Sequence, residues 1–213
     1  MITSRQHPMT TRQRIVTAAV ELFARQGYAR TTVGQIEAAA GLTPRAGGFY
    51  KHFASKAEVL EVALAQRTEA IDAVVVGLED TAARGGAAEL RLLGRVAMHE
   101  LDAERDLLRI VMKDGEQFPE LRREYFERFP RRGYGLAEEW LRGALADRGA
   151  DVPDVESFAA VVMGGLVHFF LMETVFGEPP PGTDRERFLD AWVQSTLALL
   201  SELHAMTPKE ATA

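Results

Sequence analysis

Tyr50, Lys51 and His52 stand together between Phe49 and Phe53, and supply a hydroxyl, an ammonium and an imidazole of the kind that hold phosphate oxygens. The two phenylalanines are four residues apart, so on a helix they face inward together and leave the polar three outward. Just upstream, Thr43-Pro44-Arg45-Ala46-Gly47-Gly48 carries one guanidinium. Arginine can bond guanine O6 and N7 together, worth about 1 to 3 kcal/mol of discrimination between bases. Lys56 lies at the start of a following helix, where a cation opposes the helix dipole; a phosphate partner and plain solvation both account for it. The chemistry on offer is that of duplex DNA: Tyr50, Lys51, His52 and Lys56 as phosphate contacts, with Thr43, Arg45, Ala46, Gly47 and Gly48 facing the bases. Thr32 and Pro44 complete the expected DNA-binding set.

Two short helices joined by a tight turn would position these groups. Thr32 and Gln35 have the spacing of a capping box, in which each side chain satisfies a backbone N–H of the other residue. Val33, Ile36, Ala39 and Ala40 form the apolar stripe of the first helix. Gly41 ends it, because glycine accepts the positive φ that a helix C-terminus favours. Thr43 and Pro44 read as an N-cap followed by a first-turn proline, which predicts a second helix over 43–53. A preceding helix from Thr10 or Thr11 to Gln26 is predicted by the Thr10/Gln13 capping box, by Ile15, Ala19, Leu22 and Phe23 on one face, and by Gly27 as its stop. Arg12 and Arg14 lie on its other side, along a phosphate strand or solvated. Ser55 and Glu58 make a third capping box, opening a long helix with Val59, Leu60, Ala63 and Leu64 that runs to about Thr81.

With Ala38 or Ala40 before Gly41, then Phe49-Tyr50-Lys51-His52-Phe53 and Ser55-Lys56, this region resembles the TetR family of bacterial transcription regulators over residues 10 to 65. The resemblance implies a homodimer reading an inverted-repeat operator, with a C-terminal domain that takes a small-molecule effector. One departure stands out: the stretch between Thr43 and Phe49, P-R-A-G-G, is two residues longer than the family's turn. Two residues at about 100° each rotate a continuing helix surface by roughly 200°, unless they are absorbed as a looser first turn.

A chain of 213 residues, 46% of them apolar, can bury a substantial core in one or two domains. It has no cysteine, which excludes disulfides and thiolate zinc sites. No apolar secretory segment follows the start, and the cytoplasm is the expected compartment. The net charge of −6 looks wrong for a DNA binder, but it is unevenly placed. Residues 1–67 hold nine Lys and Arg against four Asp and Glu, and the remainder 16 against 27. A basic first third can neutralise phosphates while the acidic remainder is repelled from the duplex.

Everything beyond Gly85 has helical pattern, so the predicted fold is all-α: an arm over 1–9, a three-helix DNA-binding domain with a helix-turn-helix over 10–67, a larger helical effector-binding and dimerisation domain over 68–206, and a tail over 207–213. Arg84-Gly85-Gly86 is read as the break after the long helix. Leu90, Leu93, Val96, Ala97 and Leu101 mark one helix and Leu107, Leu108, Val111 and Met112 another, with Asp114-Gly115 as an interruption. A helix from Pro119 should kink or divide at Pro130, whose ring clashes with the previous turn, and Trp140, Leu141 and Leu145 continue the pattern to Gly149. Ser157–Met172 contains no Asp, Glu, Lys or Arg, and is expected to be buried all round. Its sixteen residues fall short of the roughly 20 of a membrane span, which favours packing on its own domain with one face and on a second subunit with the other, helped by Gly164 and Gly165. A last helix follows from Asp184. The predicted dimer interface is 154–177 with 184–205, and no membrane partner is expected.

The sequence contains no P-loop, G-x-S-x-G or H-E-x-x-H, and no Glu three residues before a histidine. No enzyme activity, cofactor or metal site is expected; His99, Glu100 and Asp102 point different ways on a helix. His168 reads as a core histidine or as a polar contact in a pocket. Met98, Met112, Phe118, Phe126, Trp140, Met163, Phe169 and Met172, with His168, are candidates to line an apolar effector cavity, although core packing alone accounts for most of them. The reading that emerges is a homodimeric repressor released from DNA by a small apolar effector. A helical small-molecule-binding enzyme and an interaction module that has lost DNA binding are the alternatives.

Overall fold

The computed structural model describes residues 9–78 and 86–206. The expected arm (1–9, apart from Met9), the Arg84-Gly85-Gly86 break (apart from Gly86) and the tail lie outside these residues. Among the described residues the fold is all-α, with α1 (Thr11–Gln26), α2 (Val33–Ala39), a single 3-10 turn (Phe49–Lys51), α3 (Lys56–Leu78), α4 (Ala87–Asp114), α5 (Pro119–Arg128), α6 (Pro130–Ala146), α7 (Val155–Phe176) and α8 (Arg185–Met206).

The local signals act where they stand. Thr10 accepts from the Gln13 N–H while the Gln13 side chain accepts from the Thr10 N–H at 2.8 Å, and Thr32 and Gln35 do the same for α2. Gly27 ends α1 at φ 92°. Pro130 divides the chain between α5 and α6 and takes the first position of the second helix, where no hydrogen bond is lost. Asp184 caps α8 by accepting from the Arg187 N–H at 2.9 Å.

One expectation fails in the long acidic segment: the two helices predicted around Leu101 and Leu107 are one, α4. The polar run Asp102–Asp106 holds no glycine or proline. Its charges have partners in the folded chain, since the Arg185 guanidinium donates to Asp102 at 2.8 Å and to Glu173 at 3.2 Å, and Arg105 pairs with both acids.

The chain forms two compact units. One contains the described residues up to Ala73 with Asp106–Tyr125; its core is Ile15, Ala19, Leu22, Phe23, Ile36, Phe49, Phe53, Val59 and Leu64, all buried. The end of α4 braces the end of α1: Lys113 donates to the carbonyls of Ala24 and, at 2.8 Å, Arg25, and Asp114 accepts from the Tyr28 N–H at 2.9 Å.

The other unit comprises Val74–Arg105 and the residues from Phe126 on. Here α6, α7 and α8 pack on one another around Leu141, Leu145, Ala159 and Leu200, and a second cluster joins Met98, Leu166, Phe169 and Leu189. The helix α7 is longer than its charge-free stretch. At 22 residues it is long and apolar enough to cross a membrane, so length does not exclude a span. Nor is it buried all round. Leu166, Phe169 and Phe170 face the core, whereas Val161 is 69% exposed.

Candidate nucleic-acid interface

The segment between α2 and α3 departs from the expected second helix. Residues 42–48 are not helical, and only Phe49–Lys51 make a 3-10 turn. Arg45 takes a left-handed backbone conformation at φ 62°, followed by Gly47 at φ 73°. Thr43 and Pro44 thus give a false helix start, because two glycines, each costly in a helix, arrive before a first turn could be consolidated, and the first of them takes a left-handed backbone.

What replaces the helix is a side-chain brace. The Glu37 carboxylate, 1% exposed, accepts from the backbone N–H of Arg45 at 2.6 Å and of Phe49 at 3.0 Å. Two backbone donors of the non-helical segment are satisfied by one buried carboxylate. Below it Phe49 and Phe53 are buried with ring centroids 5.9 Å apart, and Phe53 N–H still bonds the Phe49 carbonyl at 3.1 Å. The inward pair expected from the spacing therefore forms without an α-helix. Glu37 has a sequence signal: an acid in the last turn of a short helix opposes the dipole unless it has another role.

On this support Thr43, Pro44, Arg45 and Ala46 are exposed, as are Tyr50, Lys51 and His52; Tyr50 is 63% exposed. Gly47 and Gly48 are half-buried. The Arg45 side chain lies along α2, since a Cβ at Gly34 would sit 3.7 Å from its Cγ. Thr32 is exposed but engaged in capping α2.

The other basic residues are placed differently. The Lys56 ammonium donates to the carbonyls of Tyr28 at 2.7 Å and Thr31 at 2.6 Å and lies 4.3 Å from the centre of the Tyr28 ring. It is an internal brace and not a free phosphate contact. Burial pulls its pKa below the ordinary lysine value, against the opposing pull of Asp114. Arg14 donates to the Ala40 carbonyl at 3.0 Å, tying α1 to the end of α2, and the Arg12 guanidinium stacks 4.3 Å from the centre of the Phe53 ring. Ser55 caps α3 by accepting from the Glu58 N–H at 3.2 Å, but Glu58 reaches back to the Ala54 N–H.

The residues expected to line an effector cavity are found in apolar clusters and at exposed positions. Met98, Met163 and Phe169 share one apolar cluster, and Trp140 packs against the other while donating to Glu89 at 3.1 Å. Met112 and Phe126 are exposed, and Met172 is half-buried. His168 is exposed on α7, so it is not a core histidine in the single chain. Among the described residues no group of His, Cys, Asp or Glu is arranged to hold a metal.

A capped helix, a braced turn and an exposed polar segment over buried aromatics, on a small helical unit, present a compact polar surface of the kind that docks on a nucleic acid. The model of bacterial regulatory proteins of the tetR family matches residues 15–63, and that of the C-terminal domain of AefR-like transcriptional repressors matches residues 89–200. The chain belongs to the TetR family of bacterial transcriptional regulators. It is 36% identical over 149 residues to the HTH-type transcriptional regulator TcmR of Streptomyces glaucescens, a match covering 68% of this chain and 63% of that protein. It is 45% identical over 62 residues to the HTH-type transcriptional regulator SrpR of Pseudomonas putida, covering 29% and 28%. Both matches span less than two thirds of the relative's length. Solved structures agree in fold: a TetR-family transcriptional regulator from Streptomyces coelicolor superposes with TM-score 0.66 at 16% identity, covering 91% of this chain and 96% of that one. The fatty acid degradation regulator FadR from Bacillus halodurans does so with TM-score 0.63 at 21% identity, covering 92% and 96%.

Proposed function

We propose that this chain is a homodimeric repressor that grips an inverted-repeat operator through the braced turn of each subunit and leaves it when a small effector binds. The observation that carries the reading is the continuous exposed set Arg45, Tyr50, Lys51 and His52, held on a turn whose backbone donors are tied to Glu37. Lys51, Tyr50 and His52 take phosphate oxygens and fix register; Arg45, beside Thr43 and Ala46, reads a base edge in the major groove. Two-fold symmetry makes the half-sites an inverted repeat spaced by about a helical turn or more.

A second copy is supported by α7. Ser157, Val161, Gly164, His168, Leu171 and Val175 recur at spacings of four and three, each exposed or half-buried, and form one stripe along the helix. That spacing is a helix–helix seam. A Cβ at Gly164 meets nothing within 4 Å, whereas Gly165 faces Trp192 and Phe188 of the same chain. On α8 the small residues Ala191, Ser195 and Ala198 are exposed as well. Pairing 154–177 and 184–205 of two subunits covers both faces, which accounts for the apolar helix without a membrane and suits a protein acting on DNA in the cytoplasm. An effector acts only through its difference in affinity for the bound and released conformations.

Selection of binding sites from a randomised DNA pool tests this reading. It predicts recovery of an inverted repeat by the native chain and a loss of preference at one position in each half-site for Arg45→Ala. Recovery of single unpaired sites would contradict the dimer, and an unenriched pool would favour an interaction module instead.

A further inference from the structure

A groove of about 410 Å³ lies within the N-terminal unit, between α3, the start of α5 and the loop after α1. Of the apolar candidates for an effector cavity, Phe118 alone lines it. Its walls are Tyr28, Leu60, Leu64 and Phe118, with Glu61 entering from α3 and Glu124 from α5. The size and the apolar lining with few polar groups suit a small organic molecule.

The charges narrow the class. Among the described residues Glu61 and Glu124 make no ion pair or hydrogen bond, whereas Glu120 beside them is paired with Arg123. The nearby Lys56 ammonium is committed to two carbonyls and does not line the groove. Two carboxylates without partners, from opposite helices, face an aromatic and aliphatic floor. Tyr28 and Phe118 meet edge to face with centroids 5.1 Å apart; the Lys56 ammonium already lies 4.3 Å from the centre of the Tyr28 ring, so the attraction for a bound cation rests on the two carboxylates.

We infer that this groove is a binding site for an apolar organic cation, with its hydrophobic body against Leu60, Leu64 and Phe118 and its charge between Glu61 and Glu124. The site also has a route to the DNA-reading segment. The groove wall Tyr28 has its N–H held by Asp114 and its carbonyl by Lys56, which also holds Thr31 immediately before the Thr32 cap of α2. A ligand that displaces Phe118 from Tyr28 pulls on the start of α2. This regulatory consequence rests on the DNA-binding reading; the binding site itself does not.

Calorimetric titration of the full chain with tetraphenylphosphonium and with tetraphenylborate, two ions of nearly the same shape and opposite charge, tests the site. Saturable binding of the cation at one per chain is expected, with the anion weaker by about ten-fold or more, as two partly exposed charge contacts allow. Glu61→Gln with Glu124→Gln, surface changes whose fold is checked by a thermal melt, should remove that preference, and Phe118→Ala should weaken both ions. Equal affinity for the two ions, an unchanged preference in the double variant, or no saturable binding overturns the site. A selected operator is then titrated with and without saturating cation. Unchanged affinity overturns the regulatory consequence, whereas failure to bind any DNA without the cation overturns the regulator reading and leaves the calorimetric result standing.

Discussion

The buried carboxylate of Glu37 accepts the backbone N–H of Arg45 at 2.6 Å and thereby holds that arginine at φ 62°. A non-glycine residue there is strained, at about 1 kcal/mol or more, and the same carboxylate also fixes Phe49. One side chain in α2 thus sets the shape of the whole exposed turn.

Glu37→Gln keeps the size but offers one acceptor oxygen for two donors, with its own NH2 turned on the other. A buried donor left without a partner costs about 1 to 3 kcal/mol. Thermal denaturation should show that loss, and DNA affinity should fall with it. A variant as stable and as tight as the native chain would show that the brace is dispensable.

Arg45→Gly separates strain from function. Glycine adopts a positive φ without the steric penalty, so melting temperature should hold or rise while sequence preference is lost. Should the variant melt lower and keep its preference, Arg45 would be structural and the base reader would lie elsewhere.

On α7, Val161 and Gly164 meet solvent in the single chain. Val161→Glu or Gly164→Arg should therefore leave each subunit folded while sedimentation shows monomers where the native chain gives dimers. Dimers that survive both changes would move the interface off this stripe.

Asp102 supplies a pH dependence. The hydrogen bond from Arg185, aided by Arg105 and opposed by burial, holds its carboxyl below the usual carboxylate pKa. A group depressed in the folded state adds stability that is fully present above its unfolded pKa of about 3.9 and is lost as pH falls through the lower folded value. Acid unfolding of the native chain should thus steepen below about pH 4 relative to Asp102→Asn. At neutral pH that variant should cost about 1 to 2 kcal/mol, reduced from a fully buried pair by solvent screening.

Much of this was legible in the residues themselves. The capping pairs Thr10/Gln13 and Thr32/Gln35, the stop at Gly27 and the division at Pro130 are local chemistry, and local chemistry decides them. The failures share the opposite cause. Thr43-Pro44 carries a sound local start signal that a tertiary contact from Glu37 and two following glycines override. The polar run after Leu101 looks like a gap in an apolar stripe because its partners, Arg185 and Glu173, lie far along the chain. Lys56 looks like a surface cation because the carbonyls of Tyr28 and Thr31 that receive it are invisible to spacing.

The central claim, that the turn around Arg45 and Lys51 grips DNA, is tested most directly by titrating the purified protein against genomic fragments flanking its own gene at 50 and 200 mM salt, beside Lys51→Ala. Specific binding that weakens about ten-fold or more across that range, as displacement of counterions from phosphates requires, is the predicted result, with Lys51→Ala weakening all fragments alike and flattening the salt dependence. Binding indifferent to salt and to Lys51 would contradict the account.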